Sequence, residues 1–106
     1  MVAVIDYEKL GNKIKSIRQS KNLTQDYIAN AIGCNVSHVS NIENNHTKVS
    51  LNVLFSIADV LGVTMDYLLS DQLSDKNEVL ELEIMKCVKE MPIDQKEQVL
   101  RIIRVL

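Results

Sequence analysis

The chain has 106 residues, of which 46% are apolar and 25% charged, with a formal net charge of −2. This length allows one domain and a small appendage, and no run of about 20 apolar residues is present that could span a membrane. The short N-terminus lacks the basic start of a signal peptide, so we expect a cytosolic protein with no membrane contact.

Residues that carry catalytic or metal chemistry are scarce. Cys34 and Cys87 lie far apart without ligand spacing, and we expect both to be reduced, buried thiols. His38 and His46 also lack ligand spacing, and no catalytic triad or paired-carboxylate set is apparent. With three glycines there is no glycine-rich phosphate loop. The sequence therefore predicts no enzyme, no cofactor and no metal site.

A first helix is predicted between a cap at Asp6 and about Lys21. Its inward positions are Leu10, Ile14 and Ile17. Their spacing of three and four residues is that of one face of an α-helix.

A second helix follows after a short break and ends in a tight turn. Thr24 supplies the capping hydroxyl, and the inward residues are Ile28, Ala29 and Ile32. Ala29 is small, which allows another helix to cross closely. Gly33 stands where the helix must end and adopts the left-handed backbone at little cost.

The third helix begins after a cap at Asn35 and faces inward at Val39 and Ile42. Between those positions lies an outward row of short, uncharged side chains that form hydrogen bonds or apolar contacts: Val36, Ser37, Ser40 and Asn41. Such a row suits the floor of a DNA major groove better than a solvated face, although a solvent-exposed face without DNA contact is the alternative. Residues 24–43 therefore predict a helix-turn-helix DNA reader.

The rest of the head is predicted to contain a loop at 44–49 and two more helices. The fourth helix runs from Leu51 to about Leu61, after a Ser50 cap and before Gly62. A short fifth helix, capped by Thr64, continues through Leu69. Residues 70–72 form the seam between a head, residues 1–70, and a tail, residues 71–106.

Charge differs between these two parts. The head carries six cationic and six anionic side chains, whereas the tail carries six and eight. A neutral head binds phosphates weakly, so we expect two heads to act together in holding DNA at physiological salt.

The tail is predicted to form two helices separated by Pro92. The sixth starts at Ser74 or Asp75 and runs to about Glu90, and the seventh runs from Ile93 to the end. Apolar residues recur along one face of the sixth helix, at Leu80, Ile84, Cys87, Val88 and Met91. The last eight residues are apolar except for Arg101 and Arg104. One neighbouring helix cannot bury so much apolar surface, so we expect a homodimer formed through Leu80, Ile84, Val88, Val99, Leu100, Ile102, Ile103 and Leu106.

Short segments of the head also occur at the spacing of a known family. They are Leu10-Gly11, Ile14 through Arg18, Leu23-Thr24-Gln25, Ile28-Ala29, Ile32-Gly33, Val39-Ser40, Ile42-Glu43-Asn44, Ser50-Leu51, Ile57-Ala58, Leu61-Gly62-Val63 and Asp66-Tyr67-Leu68-Leu69. Over residues 10–70 the chain resembles the lambdoid repressor/Cro (Xre-type) helix-turn-helix regulators. Asn22 and Asn45 stand where this family usually has Gly, and Val49 where Pro is common. Asn is the next-best residue for a left-handed helix stop.

The resemblance implies an all-α fold, with a five-helix lambda-repressor-like DNA-binding domain followed by a two-helix C-terminal tail. It implies that Arg18 and Glu43 pair, tying the first helix to the end of the third. It also implies base reading by Val36, Ser37 and Asn41.

Phosphate contacts are expected around this reading helix. The resemblance gives Gln25 the role of a phosphate clamp, with a solvated first-turn residue as the alternative. Residues 44–48 are expected to face the sugar-phosphate chain, although a merely polar loop is the alternative. His38 and Ser40 contact either a phosphate or a neighbouring helix. The expected phosphate set is Thr24, Gln25, Ser40, Asn44, His46, Thr47 and Lys48.

These features predict a sequence-specific regulator of transcription that binds double-stranded DNA, most simply a repressor. Its homodimer places helix 36–44 in successive major grooves of a pseudo-palindromic operator. The alternative is an antitoxin-like or antirepressor-bound interaction module whose apolar tail captures a different protein, such as a toxin. A homodimer that persists alone favours the first hypothesis, and a tail that aggregates without a partner favours the second.

Overall fold

The computed structural model describes residues 4–72 and 77–106. Within these ranges the chain is all-helical, as predicted, with seven α-helices, a 3₁₀ turn at Ser70–Gln72 and no strand. The helices are α1 (Tyr7–Ser20), α2 (Gln25–Ile32), α3 (Val36–Glu43), α4 (Leu51–Leu61), α5 (Met65–Leu68), α6 (Asn77–Lys89) and α7 (Ile93–Arg104). The predicted bounds agree to within two residues, and the predicted start of the sixth helix at Ser74 or Asp75 lies outside the described residues.

Capping side chains begin four helices of the head. Each capping oxygen accepts a hydrogen bond from the backbone amide three residues later, which pairs an amide that a first turn otherwise leaves unsatisfied. The four are Asp6, Thr24, Ser50 and Thr64. Asn35 occupies the N-cap position of α3, but its side chain makes no capping hydrogen bond. That part of the prediction is wrong, because α3 is held by its packing against α1 and α2 rather than by a cap.

Four left-handed residues stop or turn the chain. Gly33 and Gly62 end α2 and α4 with φ of 76° and 70°, and Asn22 and Asn45 have φ of 58° and 61°. The two asparagines thus adopt the left-handed conformation for which the family usually has Gly. Apart from Gly, Asn and Asp are the residues for which this conformation costs least free energy.

The core of the head is formed by α1 to α5. Its largest fully enclosed side chains, each at most 2% exposed, are Leu10, Ile14, Ile28, Val39, Ile57, Leu61 and Leu68. The predicted inward residues of the first three helices are all buried except Ile32, which packs half-buried at the edge of the core. Ala29 and Val39 are buried in the region where α2 and α3 pack together. This packing sets the orientation of α3 relative to α2.

Gly11 sets the distance between α1 and α3. It lies in the interior of α1 and is buried. A Cβ at this position would lie 2.5 Å from the carbonyl oxygen of Ile42 and 2.8 Å from that of Glu43. The absence of a side chain therefore lets α1 approach the backbone at the end of α3.

Gln72, at the end of the 3₁₀ turn, is bonded back to the start of the head. The side-chain amide of Gln72 donates to the carbonyl oxygen of Asp6 at 2.9 Å and accepts from the amide of Asp6 at 2.8 Å. This reciprocal pair joins the start of α1 to the end of the 3₁₀ turn.

The tail projects from the head. α6 packs against α5, where the Thr64 hydroxyl donates to Oε2 of Glu83 at 2.9 Å, and no residue of α7 is buried. The radius of gyration is 15.5 Å, above the value of about 13 Å for a compact chain of this length. Much apolar surface of the tail is therefore exposed.

The expectation of buried thiols is wrong. Cys87 is exposed and Cys34 is half-buried, and both are free. Cys87 is exposed because the head leaves the apolar face of α6 only partly covered, and Cys34 packs at the edge of the core of the head. Among the described residues, no helix is long and apolar enough to cross a membrane.

Candidate nucleic-acid interface

The outward face of α3 carries the residues predicted to read bases. Val36 is 39% exposed, Ser37 is exposed, and Asn41 is half-buried. The helix has eight residues and therefore rises about 12 Å, a length that a major groove accommodates. The side-chain amide of an Asn offers a donor and an acceptor that match adenine, and a Val methyl packs against the methyl of thymine.

The loop after α3 is folded back onto that helix. The carbonyl oxygen of Asn41 accepts from the amides of His46 at 2.8 Å and Thr47 at 3.3 Å. The side-chain amide of Asn44 donates to Oγ of Ser40 at 3.3 Å. These bonds, with the left-handed Asn45, fix residues 44–47 beside the end of α3.

Lys48 is the cation of this loop. It is exposed, and its ammonium lies 5.6 Å from the ring centroid of Tyr7 on α1. A cation over a ring face is attracted weakly and remains available to a phosphate. Among the described residues, the ammonium of Lys48 forms no ion pair shorter than 4 Å.

A buried network holds the first three helices together. Arg18 Nε donates to Oε2 of Glu43 at 2.7 Å, and Nη2 donates to Oε1 at 3.0 Å. A third donor, Nη1, reaches the carbonyl oxygen of Leu23 at 2.8 Å. The Arg18 and Glu43 side chains are 10% and 0% exposed. This two-pronged arrangement is the strong geometry for a guanidinium and a carboxylate, and it is the pairing that the resemblance implies.

Gln25 belongs to the same network. Its side-chain nitrogen donates to Oε1 of Glu43 at 3.0 Å, so this half-buried amide is oriented by the end of α3. One N–H of the amide is used in this bond, which leaves the other for a phosphate. Sequence reasoning paired Glu43 only with Arg18 and missed this contact, because nothing in the pattern relates two residues 18 apart on different helices.

The remaining predicted residues lie around α3 as follows. Thr24 is exposed and already accepts from the amide of Tyr27. Ser40 and His38 are half-buried, and His46 is exposed. The residues predicted to contact bases and phosphates thus lie on α3, at the start of α2 and in one adjoining loop. No group of His, Cys, Asp or Glu able to hold a metal occurs in the part of the chain that the structure describes.

Comparison with known proteins places this arrangement in a family. The model of the Helix-turn-helix family (HTH_3) matches residues 14–68. Control protein C.MunI of a Mycoplasma species is 39% identical over 64 residues, covering 59% of this chain and 86% of the relative. The immunity repressor protein of Bacillus phage phi105 is 29% identical over 72 residues, covering 68% of this chain and 50% of the repressor.

Two solved structures share the fold. The crystal structure of SinR, the master regulator for biofilm formation, in complex with DNA has a TM-score of 0.53 and 33% identity, covering 57% of this chain and 97% of that one. A chain of the SinR/SinI protein complex has a TM-score of 0.57 and 26% identity, covering 90% of this chain and 94% of that one. The second likeness extends into the tail.

The family model matches residues 14–68, a range that contains the helix-turn-helix of α2 and α3. The same range contains the buried ion pair of Arg18 and Glu43. The chain belongs to the helix-turn-helix family, as an Xre-type DNA-binding transcriptional regulator.

Proposed function

We propose that this protein is a repressor that binds a pseudo-palindromic operator as a homodimer, with α3 in the major groove. The observation that carries the proposal is the outward row of α3, which is short, uncharged and exposed at Val36 and Ser37 on a helix fixed by buried contacts. A fixed reading helix is required because base contacts demand a defined register. The similarity to the immunity repressor protein of phage phi105 supports repression rather than activation.

The residues are proposed to divide into two roles. Val36, Ser37 and Asn41 contact base edges and specify the sequence, because they lie in the outward row of α3. The residues at its margins position the protein through phosphates: Thr24, Gln25, Ser40, Asn44, His46, Thr47 and Lys48. The likeness to SinR, which was crystallised in complex with DNA, supports binding of this fold to DNA.

The homodimer is proposed to form through the tail. Leu100, Ile102, Ile103 and Leu106 are between 46% and 96% exposed, and burying each apolar side chain contributes roughly 1.5–3 kcal/mol. Leu80, Ile84, Val88 and Val99 instead line a cleft between tail and head, where they are still partly accessible to a second chain. The two-fold symmetry of a dimer would present two copies of α3 to the two halves of an operator.

Selection of bound duplexes from random DNA tests this function. The expected result is an inverted repeat whose half-sites lie about 34–36 Å apart, one helical turn of DNA. The selected site is then titrated with the parent protein and with Asn41→Ala, and preference at one base pair per half-site should be lost. Enrichment of a single asymmetric half-site would contradict the homodimer, and no enrichment would contradict sequence-specific binding.

A second candidate function is the capture of a different protein by the tail. It is favoured by the likeness to a chain of the SinR/SinI complex, because that likeness covers 90% of this chain. Sedimentation of the purified chain alone separates the two candidates. A stable dimer supports the repressor proposal, and a monomer that aggregates through its tail supports capture of a partner.

A further inference from the structure

α6 presents three faces to its surroundings. One face packs on the head, where the Glu83 carboxylate accepts from the Thr64 hydroxyl at 2.9 Å. A second face lines the cleft between head and tail through Ile84 and Val88. Because an α-helix turns by about 100° per residue, a third face lies roughly a third of a turn from each of these. This outer face of α6 consists of Glu78, Leu82, Met85 and Lys89.

The outer face of α6 is uncovered within the described residues. Leu82 and Met85 are 60% and 54% exposed, and Glu78 and Lys89 are exposed at its two ends. Neither of these two charged side chains forms an ion pair shorter than 4 Å among residues 4–72 and 77–106. One exposed apolar residue is ordinary on a protein surface, but two neighbouring ones between opposite charges form a pattern that a partner surface can match.

The order of these four residues makes the face complementary to itself. They are spaced by four, three and four residues, which is the spacing of core positions in a coiled coil. The acidic residue is at one end, the basic residue is at the other, and the apolar pair is centred between them.

A second copy laid antiparallel along this face meets an opposite charge at each end. Leu82 then lies against Met85 of the second copy, and Glu78 lies against its Lys89. The reverse contacts follow from the two-fold symmetry that is usual between identical chains. A parallel copy would instead bring like charges together, which is unfavourable. Charge complementarity therefore identifies the occupant of this face as an antiparallel second copy of the chain.

We propose that the outer face of α6 is a contact between copies of this chain, separate from the surface that forms the homodimer, and that it joins two operator-bound homodimers. The apolar part of the contact is small, so it is weak in free solution. It acts when DNA holds two homodimers at a high local concentration, and neighbouring operators are then occupied cooperatively. The effect on operators rests on the proposed function, whereas association of the outer faces does not.

The test is sedimentation velocity of the full chain without DNA, from micromolar to near-millimolar concentration. The parent should form the homodimer first and a larger assembly at higher concentration. Glu78→Lys should weaken this second step about tenfold or more, because it places Lys beside Lys at both ends of the contact. Lys89→Glu should weaken it similarly, because it places Glu beside Glu. An equal mixture of the two variants should restore the larger assembly, because each Lys then faces a Glu.

Glu81→Lys is the matched control, since it makes the same change of charge at an exposed position of α6 outside the outer face. This control should associate as the parent does. A mixture that fails to recover the larger assembly would overturn the proposal, because a fold defect or a change in net charge would then explain the single variants. A parent that forms no species larger than the homodimer would also overturn it.

A duplex with two copies of the selected operator tests the role on DNA. The parent should fill the second operator about tenfold more tightly than the first. Glu78→Lys should lose this gain while binding a single operator as tightly as the Glu81→Lys control. An equal gain in the parent and in Glu78→Lys would overturn the joining of operator-bound homodimers. Failure of sequence-specific binding would instead overturn the proposed function, and the association measured without DNA would still stand.

Discussion

Glu43 is the residue on which the placement of α3 depends. Its carboxylate accepts two hydrogen bonds from Arg18 on α1 and one from Gln25 on α2. The end of α3 is thus tied to both helices that precede it. Since the carboxylate is fully buried, losing a partner leaves an uncompensated charge in the interior.

Arg18→Ala should therefore destabilise the fold by about 3–5 kcal/mol, the usual cost of breaking a buried pair from one side. The double variant Arg18→Met with Glu43→Leu should recover most of this loss, because it removes both charges and keeps apolar volume. Chemical denaturation of the three proteins measures both effects. A single variant within about 1 kcal/mol of the parent would contradict the role given to the pair.

Gly11 and Gly33 are required for different reasons, and substitution separates them. Gly11→Ala should cost about 1–3 kcal/mol, because its Cβ would meet backbone oxygens of α3 that cannot move alone. Gly33→Ala should cost about 1–2 kcal/mol from backbone strain, since its φ is +76° and no atom lies within 4 Å of the added Cβ.

The control for each is the same change to Asn. Gly33→Asn should cost less than Gly33→Ala, because Asn already adopts left-handed backbone twice in this chain. Gly11→Asn should cost at least as much as Gly11→Ala. If Gly11→Ala instead stabilises α1, as it does in an exposed helix interior, the close approach of α1 to α3 is wrong.

At the scale of elements, α3 and its loop act as one unit. Two loop amides donate to the carbonyl oxygen of Asn41, so the loop moves together with the end of α3. This arrangement places residues proposed to contact phosphates beside those proposed to contact bases. The two kinds of contact differ in their dependence on salt, and this difference makes the assignment testable.

Lys48→Ala should flatten the salt dependence of operator binding by about one phosphate per head.

Gln25→Ala should weaken binding to specific and scrambled duplexes alike. The slope of affinity against salt concentration should change little, because a neutral amide displaces no counterion. Asn41→Ala should lose about 1–3 kcal/mol of discrimination at one base pair per half-site at nearly constant slope. Titrations of each variant on both duplexes across a salt series measure these effects. Loss of base preference in Gln25→Ala, or uniform weakening in Asn41→Ala, would reverse the assigned roles.

The elements of the head were predictable because their signals are local. Thr24, Ser50 and Thr64 cap helices, and Gly33 and Gly62 end them, within one turn of the chain. The bond between Gln25 and Glu43 was not predictable, since it joins residues that only the packing of α2 on α3 brings together.

Gly11 carries a packing signal besides its place in the family pattern. A glycine in the interior of a helix destabilises it, so its presence indicates a close backbone approach. The exposure of Cys87 lay beyond prediction for another reason. The apolar stripe of α6 predicts that this face packs against something, but the period of a helix does not say how completely its neighbour covers it.

At the scale of the molecule, the head has a closed core and the tail does not. The reciprocal pair between Asp6 and Gln72 completes the head, and α7 buries none of its residues. The head should therefore fold without the tail, whereas the tail needs another surface.

A chain cut after Gln72 should remain folded, melt cooperatively and sediment as a monomer. Its affinity for the full operator should fall by about 100-fold or more, because the second head would no longer be held at a high effective concentration. Retention of the parent affinity by this fragment would show that the tail does not couple two heads.

Ile103→Glu tests the same coupling in the full chain, since it places a charge in the exposed apolar face of α7. Gln98→Glu is its matched control, as it adds the same charge at another exposed position of that helix. We expect Ile103→Glu to shift the sedimentation coefficient to that of a monomer and to weaken operator binding, and Gln98→Glu to do neither. Each head of the Ile103→Glu variant should still prefer the same half-site, because α3 is fixed by contacts within the head. A monomeric Ile103→Glu protein that binds the operator as tightly as the parent would contradict a dimer formed through the tail.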